Sequence, residues 1–155
     1  MFRLKKSEEK AFRALSESII SHPDYQSMKK LRAHGRLTVF DHSISVARCA
    51  LAMNRRLKLK ADEQQLITGA LLHDFYLYDW HDARIDVPLF KMHGYTHPFT
   101  ACRNASERFE LTSTEKNIIQ SHMWPLTLRT LPHSREAWLV CLCDKIIATE
   151  ELFKR

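Results

Sequence analysis

The run Ile67-Thr68-Gly69-Ala70-Leu71-Leu72 ends in His73-Asp74, two polar residues at the close of a helix-like apolar stretch. A carboxylate among aliphatic side chains is costly unless it is paired or coordinates a metal. A chain with Asp74 in that place must therefore fold so that partners reach it. His42, His97, His122 and Asp144 stand at wide, fairly even intervals on either side. Each falls at or inside a separate expected helix. Four histidines and two carboxylates that converge from separate helices point to chemistry rather than to packing.

The rest of the chain suits such convergence. Only 3 Gly and 5 Pro occur in 155 residues, which favours long regular elements over a turn-rich β fold. Apolar residues recur at helical spacing in most of the chain. Phe12, Leu15, Ile19 and Ile20 predict an amphipathic helix over about 7–21, ended by His22-Pro23. A short helix over about 24–33 follows and stops near Gly35. Val39, Val46, Ala50 and Met53 predict a helix over about 40–57, with Asp41 as its expected cap. Asp62 is the expected N-cap of the helix that runs to Asp74. Gly69 lowers helix stability, and close approach by another helix is the expected compensation.

Thr96 offers an N-cap, and Pro98 suits the first turn of a helix to about Phe109. Thr112-x-x-Glu115 is a capping-box signal for a helix over about 113–123, with Ile118, Ile119 and His122 on its apolar face. The last helix is expected over about 135–152, with Asp144 on the face of Val140, Cys141, Ile147 and Ala148. The fold class is all-α, with six or seven helices around one core. The length suits one domain, with residues 1–35 as an N-terminal helical extension and residues 37–150 as the metal-binding core. Residues 75–95 are aromatic-rich and have no clear period.

The formal net charge is +6, with basic groups at Lys5-Lys6, Lys29-Lys30-Arg32 and Arg55-Arg56-Lys58-Lys60. This balance favours anionic ligands such as phosphates and nucleotides. No dense basic stripe interleaved with aromatics is present, which argues against a dedicated nucleic-acid binder. The apolar runs are too short to span a bilayer. Cys49, Cys102, Cys141 and Cys143 form no C-x-x-C and read as reduced, small apolar side chains. With no signal-peptide apolar region at the start, the expected location is the cytoplasm.

Imidazole and carboxylate donors suit Fe, Mn, Co, Ni or Zn. The expected sharing puts His42, His73, Asp74 and Asp144 on a first divalent ion and Asp74, His97 and His122 on a second. Asp74 is then the catalytic bridge. Such a pair lowers the pKa of bridging water and clamps a phosphoryl oxygen, which suits hydrolysis of a phosphate ester or anhydride by a metal-bridging hydroxide. His93 and His97 compete for one position, and His97 is preferred because it directly follows Thr96. His93 then lines the pocket. Lys145, Arg84 and His81 are the further substrate-contact candidates. His22, His34 and His133 adjoin loop signals and read as surface residues.

The pattern His42, His73-Asp74, Asp144 resembles the HD-domain superfamily of metal-dependent phosphohydrolases. The likeness covers about residues 37–150. His97 and His122 are similar to the extra ligands of its two-metal branch. The segments Leu72 to His81, His93 to Pro98 and His122 to Leu126 resemble a group of compact bacterial HD proteins. The resemblance implies an all-α fold, metals between central helices and a small-molecule phosphate or nucleotide substrate. Two known activities do not carry over. Phe75-Tyr76-Leu77 follow the doublet where cyclic-dinucleotide phosphodiesterases of the HD-GYP type have a lysine, and Gly94-Tyr95 is followed by Thr96 rather than proline. The large dNTP hydrolases have segments that 155 residues cannot hold. Some HD-domain proteins activate dioxygen instead, so a di-iron oxygenase and a non-catalytic nucleotide sensor stand as alternatives. A homodimer is left open.

Overall fold

A computed structural model describes residues 2–33, 37–79 and 93–153. Among them the fold is all-α. Its helices are α1 (Glu9–Ile20), α2 (Pro23–Ser27), α3 (Val39–Leu57), α4 (Glu63–Leu72), α5 (His93–Ser106), α6 (Ser113–Ser121) and α7 (Arg135–Phe153). A single 3₁₀ turn, Met28–Lys30, follows α2. An isolated bridge between Arg32 and Thr38 is the only β pairing among the described residues. No helix among them is long and apolar enough to cross a membrane.

The helix at the centre is α4, which touches α1, α3, α5, α6 and α7. Its sequence explains the position. Leu66 to Leu72 are all buried, and a helix that is apolar on every side has to be covered on every side. Gly69 makes one of these contacts possible. A Cβ built there would stand 2.6 Å from Cδ1 and Cγ2 of Ile118 on α6. The glycine therefore lets α6 lie against α4 at backbone range, as expected from its place in the run.

Local signals set most helix ends. The Asp62 side chain accepts from Gln65 N and starts α4. Thr112 and Glu115 form a complete capping box on α6, with Glu115 N donating to Thr112 Oγ1 and Thr112 N donating to Glu115 Oε2 at 2.7 Å. Three expectations fail. Thr38, not Asp41, caps α3, because Asp41 lies inside the first turn and its own N–H donates to Thr38 Oγ1. Thr96 and Pro98 do not open α5, whose described part already begins at His93. Interior proline is disfavoured because its ring meets the carbonyl of residue i−4. Pro98 nonetheless lies inside α5, five residues after His93. The expected 24–33 helix is also shorter, breaking into α2 and the 3₁₀ turn. All four cysteines are buried and free, as expected.

Candidate metal centre

Five helices each bring one part of the centre. His42 lies in the first turns of α3, His97 in α5 and Asp144 in the middle of α7. His73 and His122 are the C-caps of α4 and α6, and Asp74 follows His73. All six side chains are buried. The expected set has therefore come together from positions far apart in the chain.

The two capping histidines share a local logic. The last carbonyls of a helix lack backbone donors. His73 Nδ1 lies 2.7 Å from Ala70 O, and His122 Nδ1 lies 2.7 Å from Ile119 O. Carbonyl oxygens only accept, so both Nδ1 atoms carry the proton. His97 repeats the arrangement, with Nδ1 2.8 Å from His93 O. In the neutral form all three rings then turn a bare Nε2 lone pair towards the centre.

What those lone pairs meet is the test of whether the residues fit a cation. Nε2 of His97 and Nε2 of His122 stand 2.8 Å apart. Two bare lone pairs repel at that distance unless a proton or a metal ion stands at them. His73 Nε2 is buried and has no hydrogen-bond partner among the described residues. Asp74 presents its two oxygens to different histidines. Oδ1 lies 3.2 Å from His97 Nε2 and 3.6 Å from His122 Nε2. Oδ2 lies 3.5 Å from His73 Nε2 and 3.9 Å from His42 Nε2. Asp144 Oδ1 is 3.1 Å from His42 Nε2 and 3.7 Å from His73 Nε2. Ligand bonds of about 2.1 Å place neighbouring donors roughly 3.0 Å apart in an octahedral shell and roughly 3.4 Å apart in a tetrahedral one. The observed separations fall around those values, so the donor set fits divalent metal.

Three groupings could each hold an ion: His42, His73 and Asp74; His73, His122 and Asp144; Asp74, His97 and His122. The last is the set expected for a second ion. The other two overlap the set expected for the first, and one of them also brings His122 together with His73 and Asp144.

Charge among these side chains is divided unevenly. Burial opposes ionisation of Asp74 and Asp144, but the histidines around them outweigh it and hold both carboxyls well below the usual range. Burial likewise opposes charge on His42. Hydrogen bonds to Asp144 and Glu151 overcome this and hold its pKa at about 10. His122 goes the other way. Burial, reinforced by electrostatic repulsion from the neighbouring imidazoles, pushes it down to about 3. Neighbouring imidazoles thus differ sharply because they cannot all be charged in one buried volume.

The remaining candidates surround this cluster. His93 stacks on His97 with ring centroids 4.5 Å apart, and its Nδ1 lies 2.9 Å from Tyr78 Oη. Lys145 Nζ donates to His122 O at 2.9 Å and to Cys141 O at 3.2 Å. Its ammonium is thereby held against the backbone of the second capping histidine. His81 and Arg84 lie outside the described residues, as does His34. His133 is exposed, whereas His22 has a defined structural role, accepting from Asp24 N as the N-cap of α2.

One residue at the site was missed in the sequence. Glu151 is buried, and its Oε2 lies 2.9 Å from His42 Nδ1. A signal was present. Glu151 lies two turns after Asp144 and one turn after the buried Ile147, so it continues the inward face of α7.

An all-α fold with a buried cluster of histidine and aspartate at the meeting of central helices defines a class of metal-binding helical proteins. The HD-domain family model matches residues 39–149, and the chain belongs to that family, a superfamily of metal-dependent phosphohydrolases. No curated protein and no solved structure matches the chain.

Proposed function

We propose that the centre binds two divalent transition-metal ions, of Fe, Mn, Co or Ni, and hydrolyses a phosphate ester or anhydride of a small, nucleotide-like molecule. The observation that carries this reading is the division of Asp74. One carboxylate oxygen faces His97 and His122, and the other faces His73 and His42. A carboxylate so placed serves two positions at once. Ions held there supply an acidified water and neutralise charge on a phosphoryl oxygen.

The protein's own groups do the remaining work. The Nδ1–H bonds of His73, His97 and His122 to backbone carbonyls fix each ring and keep its Nε2 available. His42, Asp74 and Asp144 complete the expected first position, and Asp74, His97 and His122 the second. Burial of all six keeps bulk water away and strengthens their electrostatic effect. Lys145 sets a positive charge beside the His122 carbonyl, where it favours an anionic substrate. His93 lines the approach next to Tyr78.

The test is metal analysis of the purified protein together with phosphate release from a nucleotide panel under anaerobic conditions. About two ions per chain and release of phosphate without dioxygen are expected. Bound ions with oxygen consumption and no phosphate release would overturn the hydrolase in favour of an oxygenase. One ion or none would overturn the two-ion centre.

A further inference from the structure

Three of the four central histidines find an acceptor for Nδ1–H on a backbone carbonyl of their own helix. His42 does not. It sits in the first turns of α3, and its own N–H already donates to Thr38 O at 3.0 Å. The N-terminal end of a helix leaves N–H groups free, not carbonyls. An imidazole there has no local acceptor for Nδ1–H and needs one from elsewhere. Glu151 of α7 provides it, with Oε2 2.9 Å from His42 Nδ1.

The placement of Glu151 is unusual for packing alone. The residue is buried, and its other oxygen, Oε1, has no hydrogen-bond partner among the described residues. Glutamate is seldom buried without a partner that needs it. The partner here is His42, whose other nitrogen lies 3.1 Å from Asp144 Oδ1. Asp144 and Glu151, two turns apart on the same face of α7, therefore grip one imidazole, one at each ring nitrogen.

We propose that Glu151 is a positioning residue for the metal centre. Its carboxylate holds the Nδ1 proton of His42, fixes the ring so that Nε2 points at Asp74 and Asp144, and makes that nitrogen a stronger donor. Carboxylate–histidine pairs behind a metal ligand act in this way. This rests on the reading of His42 as a ligand.

The experiment measures Co(II) affinity by chelator competition, with the Co(II) absorption spectrum recorded on each sample. The variants are Glu151→Ala, Glu151→Leu, Glu151→Gln and His42→Ala, each checked for folding by circular dichroism without metal. The two deletions are used together because one of them can fail to fold where the other does not. Glu151→Ala or Glu151→Leu is expected to weaken Co(II) binding about 10- to 100-fold and to alter the spectrum. Glu151→Gln keeps an oxygen that accepts from Nδ1–H, so it should recover most of that loss. Folded deletion variants with wild-type affinity and spectrum overturn the proposal, even if they melt earlier, because a packing role alone would do that. His42→Ala separates the two readings. If it loses affinity while the Glu151 variants do not, only the role of Glu151 fails. If it keeps wild-type affinity, the ligand reading of His42 fails first and takes the proposal with it.

Discussion

The Nε2 atoms of His97 and His122 face each other across 2.8 Å, while each ring holds its proton on Nδ1 against a backbone carbonyl. The pair is thus preset to receive a cation on its inner side. His97→Ala should empty one of two metal positions and leave the other filled. Metal analysis of the variant against the parent checks this. Unchanged metal content would return His97 to a packing role.

Asp74 has a heavier task than either histidine, because its oxygens face both groups of rings. Asp74→Ala should remove both ions and abolish phosphate release. The variant also removes the carboxylate that faces His97 and His122, so its metal-free form should be less stable. Retained metal with full turnover would sink the bridging reading.

The pH dependence follows from His42. Both of its ring nitrogens face carboxylates in the metal-free protein, and its pKa is held at about 10. An unfolded imidazole titrates near about 6.5. A group raised on folding contributes stability that is fully present below the unfolded value and is lost as pH climbs through the folded one. The metal-free protein should therefore lose this contribution from about pH 6.5 up to about 10. Metal uptake has the opposite slope, since an ion at Nε2 must displace the proton. Apparent metal affinity should rise between pH 6 and pH 8, with protons released. Calorimetry in buffers of different ionisation heat would show the release, and its absence would contradict the ligand role of His42.

Gly69 offers a test of the scaffold. Alanine normally improves a helix interior by about 1 kcal/mol over glycine. At this position its Cβ would lie 2.6 Å from Ile118 side-chain atoms. Overpacking costs about 1–3 kcal/mol, so Gly69→Ala should destabilise the fold despite the better propensity. Combined with Ile118→Ala, the loss should be less than additive. Chemical denaturation of the two single variants and the double variant measures the coupling. A stabilised Gly69→Ala would show that α6 shifts freely against α4.

Much of the architecture was legible because the signals were local. The capping box at Thr112 and Glu115, the Asp62 cap and the apolar run of α4 depend on residues a few positions apart. So did the inward face of α7 around Asp144. Where two local signals competed, the reading slipped. Thr38 and Asp41 both suit an N-cap, and only the path of the chain into α3 decides between them. Thr96 and Pro98 resemble a helix start, yet the turn before them, from His93, is already helical.

By itself the sequence determined which residues had to converge, since buried carboxylates and histidines on apolar helix faces need one another. It also determined the helices that carry them, because periodicity and caps are written in neighbouring residues. Tertiary structure alone decided which atom of each residue faces which partner. It turned the two oxygens of Asp74 towards different histidines, set His97 against His122, and brought Glu151 behind His42. Those relations depend on the angles at which α3, α4, α5, α6 and α7 pack. Packing angles arise from the fit of whole helix surfaces, and no short stretch of sequence contains them.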